Sequence, residues 1–271
     1  TGTGPRGRIT SDDVTAAQRA PSAPPSMAPE PPTADEPSEL VALNSVQKVT
    51  ARRLSEAKRN IPHFYVFAEA DVTALLELRE QLNSDAAHQR ISVSHFILAA
   101  MSRALVAMPT LNRVWSDAGL VQLRQADVGL AVEGPKGLLA PVLRNLGRST
   151  VDEVAAAATQ AVGRVRAGQV SSADLQGGAT ALSNVGMFGA TGLVPIINPG
   201  QSSILGVGRN QGVFRPDAHG QPQLRQVLNL ALSCDHRVVD GAEAARFLQI
   251  IQNGLEAPAA LLRRVPEDLG Q

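Results

Sequence analysis

The chain has 271 residues, 44% of them hydrophobic and only 3% aromatic, so a core of domain size is within reach and aliphatic side chains must fill most of it. The 25 Lys and Arg balance 25 Asp and Glu, which removes any global electrostatic ground for expecting nucleic acid or an acidic membrane as partner. Cys234 is the only cysteine, which excludes an internal disulfide and a thiolate metal cluster and suits a reducing compartment; a bacterial cytoplasm is expected, and an organelle matrix is also compatible. The opening TGTGPRGRIT has no apolar signal region. The most apolar long stretch, Ile91 to Met108, contains Ser94, His95, Ser102 and Arg103 and reads as a buried helix rather than a membrane span.

In chain order, residues 1–20 form a short polar and glycine piece ending in the helix-like SDDVTAAQRA. Residues 21–39, PSAPPSMAPEPPTADEPSE, lack large apolar side chains and cannot offset their ordering entropy, so they read as a Pro/Ala-rich linker. A globular unit is expected over 40–271. Within it NSVQKVTARRLSEAKRN reads as a helix stopped by Asn60 and Pro62, HFYVFAEADV as a strand, and VTALLELREQL as an amphipathic helix. SHFILAAMSRALVAM is apolar nearly all round and reads as a central helix. A hairpin is expected around Ser116 to Gly119, and DVGLAVEGPKGLLAPVLRN reads as two strands joined by a Gly-Pro-Lys-Gly turn. Thr150 to Glu153 fits a capping box opening a helix to about Ala167. TALSNV, SSILGVG and QVLNLALSC read as strands, with a last helix after Gly241. The mixture predicts an α/β or α+β sandwich, and without strict βαβ alternation a doubly wound nucleotide fold is disfavoured.

Several motifs have plain structural readings. GTGPRG matches the dinucleotide glycine pattern, but no strand precedes it. GQSSILG has Ile204 where a nucleophile elbow needs glycine, so a buried strand after a Pro-Gly turn fits better than a serine hydrolase. Lys48, Arg52, Arg53, Lys58 and Arg59 read as a solvated helix face. His63, His88, His95 and His219 have no partner at metal-ligand spacing; His63 reads as a strand-start residue and His95 as a helix residue. Cys234 reads as inert strand packing. His236 differs: it follows the strand VLNLALSC, with Asp240 four residues later and Gly241 permitting a tight turn. Imidazole titrates near pH ~6.5 in water, so its neutral form can serve as a base. From the residues alone, a structural His–Asp pair and a catalytic one remain equally open.

LSCDHRVVDGA (232–242) resembles the catalytic motif of dihydrolipoamide acyltransferases, the E2 components of 2-oxo acid dehydrogenase complexes, whose H-x-x-x-D-G core is shared with chloramphenicol acetyltransferase. Segments 51–79, 127–145 and 175–208 resemble the same family in order and spacing, and GTGPRGRITSDDVTAA resembles the end of its peripheral subunit-binding domain. The C-terminal LLRRVPEDLGQ departs from the family's apolar ending.

The resemblance implies a chloramphenicol-acetyltransferase-like α/β sandwich and acyl transfer between dihydrolipoamide and coenzyme A, without a metal. By carry-over His236 is the general base, Ser183 donates to the tetrahedral oxyanion, and Asp240 holds the site's geometry; Asn184 and Gly241 would lie near the substrate channel. It further implies a homotrimer with the site between chains, possibly in a cubic or dodecahedral core. The lipoyl group would be carried on a domain outside this sequence, and E1 and E3 components would bind through the subunit-binding domain. No nucleic-acid or membrane partner is implied. SNVGMFG (183–189) resembles the acetyltransferase branch of the pyruvate dehydrogenase complex; branched-chain or succinyl transfer and a non-catalytic scaffold are the alternatives. A peptide-synthetase condensation domain, which shares H-x-x-x-D-G, normally has a second histidine where Asp235 stands.

Overall fold

The structure, a computed structural model, describes residues 2–11, 40–85, 89–135 and 137–266. The helix expected at 11–20, beyond Ser11, and the linker at 21–39 lie outside the described residues, as does His88. The chain divides into two compact units, Thr1–Leu43 and Asn44–Gln271. In the first, the described part of the glycine-rich opening forms a single 3-10 turn, Pro5–Gly7, closed by Gly4 N–H donating to Arg8 O at 2.9 Å.

The second unit starts with α1 (Ser45–Asn60), where Asn44 accepts from Gln47 N–H and Gln47 reaches back in a capping box. Its basic residues lie on an exposed face, as expected. Pro62 cannot continue the helix, and β1 (His63–Asp71) follows. Then come α2 (Thr73–Leu82) and α3 (Val93–Ala107), the latter buried on most sides. The hairpin β2 (Arg113–Ser116) and β3 (Gly119–Gln122) stands as its own two-stranded sheet.

The 127–145 stretch departs from the two-strand reading. It holds four short strands: β4 (Val128–Leu130), β5 (Val132–Gly134), β6 (Gly137–Leu139) and β7 (Val142–Leu143). β4 and β7 join the main sheet while β5 and β6 pair separately. The break falls at Ala131, whose N–H donates to Leu182 O instead, and at Pro141, which has no N–H to give a ladder. Next are α4 (Val151–Arg166), opened by the predicted Thr150–Glu153 box, and β8 (Thr180–Asn184). Two 14-residue strands, β9 (Ser203–Pro216) and β10 (Pro222–Asp235), precede α5 (Gly241–Glu256). Both long strands outrun their sequence reading. Their distal halves are largely exposed and polar, so no apolar period marks them; the turn is closed by Asp217, whose carboxylate accepts from His219 and Gln221 N–H.

The main sheet runs β1-β10-β9-β8-β4-β7, antiparallel over its first three strands and parallel across β9-β8-β4. Alternation along β10 sends Leu228, Leu230, Leu232 and Cys234 to one face, where α2 to α5 bury them with Leu75, Phe96, Met101, Val154, Phe247 and Ile251. Phe247, Ile251 and Leu255 recur every four residues on α5 and are fully buried, each worth about 1.5–3 kcal/mol.

The opposite face is crossed by an extended strap, residues 190–198. Its backbone lies so close to β9 that a Cβ on Gly206 would meet Leu193 O at 2.1 Å, and one on Gly208 would meet Thr191 O at 2.1 Å. Arg209 N–H donates to Ala190 O (2.7 Å), Asn229 Nδ2 to Thr191 O (3.0 Å) and Ser233 Oγ to Pro195 O (2.7 Å). Ile197 fills a small second cluster with Ala181 and Ile204.

Candidate active site

His236 is delivered by the end of β10. Its N–H donates to Pro62 O at 3.0 Å, and its ring packs on Phe64 with centroids 4.5 Å apart and planes tilted by 42°. Both contacts come from the chain entering β1, which is paired in register with β10 through His63 and Asp235. The residue is otherwise exposed.

Its two neighbours grip each other around it. Asp235, 1% exposed, accepts from Arg237 N–H (3.0 Å), Nε (3.0 and 3.2 Å) and Nη2 (2.7 Å). That hydrogen bonding to Asp235 raises the Arg237 pKa above its ordinary value. The guanidinium also lies over the Trp115 ring, 4.8 Å from its centroid. The sequence reading missed these groups; the Asp-His-Arg order holds the signal, since a carboxylate and a guanidinium two residues apart can close a loop on the residue between.

Asp240 is the N-cap of α5. It accepts from Glu243 N–H at 2.7 Å, and Glu243 returns the bond to Asp240 N–H at 3.3 Å. The helix cap thus lies four residues after His236, and Gly241 at the first helical position has open space where a Cβ would stand.

Ser183 lies elsewhere. It sits on β8 beside Gly206, which pairs with Ala231 on β10. Ser183 is therefore two strands from β10 and level with a residue five before His236. At roughly 3.3 Å per residue and 4.8 Å per strand, the separation is on the order of 20 Å. Ser183 shares the strap face with Ala181, a half-buried position on the side away from the helices. On that face Phe67, Leu193, Val194, Asn229 and Ala231 line a cavity of about 310 Å³. Asn184 points the other way: its Nδ2 donates to Ser94 Oγ (3.0 Å) and its Oδ1 accepts from Gly186 N–H (2.9 Å), tying β8 to α3.

The remaining candidates are structural. His63 Nδ1 meets Ile61 O at 2.8 Å and its Nε2 accepts from Ile197 N–H at 3.2 Å. His95 caps α3 by accepting from Ser92 N–H, and burial lowers its pKa. Ser202 Oγ donates to Arg113 O at 2.6 Å, and Ser203 Oγ pairs with Thr180 Oγ1 at 2.8 Å; both are buried. Burial, with Asp235 adjacent, pushes the Cys234 thiol up to about 12. Among the described residues no group of three or more His, Cys, Asp or Glu is placed to hold a metal ion. Nor is any described helix long and apolar enough to cross a membrane.

Residues 35–263 match the family model described as 2-oxoacid dehydrogenases acyltransferase (catalytic domain). The dihydrolipoyllysine-residue acetyltransferase components of the pyruvate dehydrogenase complexes of Rickettsia felis and Zymomonas mobilis are 34% and 35% identical, each over 96% of this chain. The chain spans 63% and 61% of their lengths. Among solved structures, the Azotobacter vinelandii dihydrolipoamide acetyltransferase superposes with a TM-score of 0.80 at 29% identity, covering 87% of this chain and 100% of that one. In the Azotobacter protein a serine, a histidine and an asparagine have been studied for their role in the catalytic mechanism. The cubic core of a pyruvate dehydrogenase multienzyme complex matches with the same TM-score and coverage at 30% identity.

Proposed function

The chain belongs to the 2-oxoacid dehydrogenase acyltransferase (catalytic domain) family, and from that membership we propose that it moves an acetyl group between dihydrolipoamide and coenzyme A. The observation that carries the reading is His236, held by Pro62, Phe64 and the Asp235–Arg237 grip yet exposed at the end of a rigid strand. His236 takes the proton of the incoming thiol. The thiolate attacks the thioester carbonyl, and the resulting oxyanion accepts a hydrogen bond from Ser183. Collapse expels the second sulfur, which takes the proton back from His236. A preorganised donor of this kind contributes about 2.7–4 kcal/mol to the transition state.

The wide gap between Ser183 and His236 within one chain supports a site shared by two chains, His236 from one and Ser183 from the next, in a trimer. Likeness to the cubic core supports assembly of such trimers into a larger shell. Asp240 acts by fixing the helix start. The Azotobacter protein has its histidine and asparagine four positions apart, as are His236 and Asp240, and both amide and carboxylate can cap a helix. Acetyl is favoured as the acyl group because the Rickettsia felis and Zymomonas mobilis relatives are acetyltransferase components of pyruvate dehydrogenase complexes. The lipoyl group arrives on a separate domain, residues 1–20 are the remnant of a subunit-binding domain for E1 and E3 components, and 21–39 link it to the catalytic domain. A cytoplasmic or organelle-matrix setting fits bacterial and mitochondrial relatives alike.

Coexpressing Ser183→Ala and His236→Ala chains tests the scheme. Each variant alone should be nearly inactive in acetyl transfer from acetyl-CoA to dihydrolipoamide. Random assortment around a ring regenerates intact sites at about a quarter of the wild-type number. No recovery refutes a shared site, and full activity of His236→Ala alone refutes the base.

A further inference from the structure

The grip around His236 does not end at its neighbours. Asp235 is buried at the strand end and holds Arg237 through its backbone N–H, Nε and Nη2. The guanidinium then rests on Trp115, which belongs to the separate β2–β3 hairpin and is 41% exposed. Asp117, at the tip of that hairpin, adds its charge to Arg237. The hairpin is itself stapled to the base of β10: Ser202 Oγ donates to Arg113 O at 2.6 Å, while Ser202 O accepts from Asp235 N–H at 2.8 Å. Two routes, one through Asp235 and one through Arg237, thus join the hairpin to the residues on either side of His236.

We propose that Arg237 is a positioning residue for the acyl transfer, locked between Asp235 and the Trp115 ring so that the His236 imidazole is held in one orientation, with the β2–β3 hairpin as the outer jaw. A planar guanidinium suits this place because it bonds a carboxylate with two nitrogens along its edge and stacks on an indole with its face; a lysine ammonium does neither. The inference rests on the acyltransferase reading for its kinetics but not for its geometry.

The test uses the full chain in its native assembly, with Arg237→Lys, Arg237→Met, Trp115→Phe, Trp115→Leu and the double variant Trp115→Leu/Arg237→Met. Acetyl transfer should show kcat lowered about 10-fold or more in Arg237→Lys and Arg237→Met, with KM for both substrates within about twofold of wild type. Trp115→Phe should keep more activity than Trp115→Leu. The double variant should be no worse than Arg237→Met alone, because both changes open one clamp. Trp115 is the only tryptophan, so its emission reports the jaw directly: Arg237→Met should change its wavelength and acrylamide quenching.

A third readout needs no activity: carbethoxylation of His236 by diethyl pyrocarbonate, located by peptide mapping, should be several-fold faster in folded Arg237→Met as the ring leaves Phe64. Unchanged carbethoxylation, kcat within twofold of wild type in folded variants, or fully additive losses overturn the proposal. A wild type that transfers no acetyl group overturns the acyltransferase reading instead, and the labelling rate and Trp115 emission then decide the clamp on their own.

Discussion

Replacing Gly206 by alanine tests the strap that crosses the sheet beside Ser183. The new Cβ would meet Leu193 O at 2.1 Å and Pro195 Cδ at 2.8 Å. The first of these is a backbone carbonyl, so no side-chain rotation relieves it, and the strap must rise by about 1 Å in a close-packed layer. That movement strains the buried bond from Ser233 Oγ to Pro195 O and the bond from Asn229 Nδ2 to Thr191 O. Overpacking costs about 1–3 kcal/mol. An orphaned buried hydroxyl costs about 1–3 kcal/mol more. Gly206→Ala should therefore lose about 2–6 kcal/mol, read as a lower urea midpoint at fixed chain concentration, with a fall in kcat because Ser183 pairs with Gly206. The internal control is Gly163→Ala on α4, where nothing lies within 4 Å of the added Cβ and a helix interior should gain up to about 1 kcal/mol. If Gly206→Ala stays within about 0.5 kcal/mol of wild type with full activity, the strap is not seated as described and the reasoning fails.

Ser183→Ala should lower kcat about 10²–10³-fold with little change in KM, as expected for a donor that acts on the oxyanion; steady-state rates with both substrates varied check this. Asp240→Asn should keep the α5 cap and most of the activity, while Asp240→Ala should cost about 0.5–2 kcal/mol in thermal or urea unfolding. Loss in Asp240→Asn equal to that in Asp240→Ala would show that the carboxylate charge, rather than the cap, is what matters. Cys234, with its thiol pushed up to about 12, should resist iodoacetamide in the native protein at pH 8 and react on unfolding. Because the unfolded thiol ionises near 9, stability is fully present below that pH and should decline between 9 and about 12; a flat unfolding midpoint across that window in wild type, matched by Cys234→Ala, would contradict the burial of the thiol.

Much of this molecule is legible in residue order because its signals are local. The Thr150–Glu153 box, the Asn60–Pro62 stop and the apolar run of α3 each depend on neighbours within one or two turns, and each appears where its pattern predicts. The His236–Asp240–Gly241 spacing likewise belongs to one short loop, so the candidate base was visible before any fold was known. The distal halves of β9 and β10 were not, because an exposed ribbon held by cross-strand bonds leaves no periodicity to read. Nor could residue order reveal that Trp115, remote in sequence from Arg237, stacks on its guanidinium, or that Gly206 is bare to admit the strap. The separation of Ser183 from His236 is a matter of register, five rows and two strands, and register is settled only when whole strands pair. Chemistry carried by contiguous residues is thus written along the chain, while chemistry that needs distant backbones to meet is decided by the packed sheet.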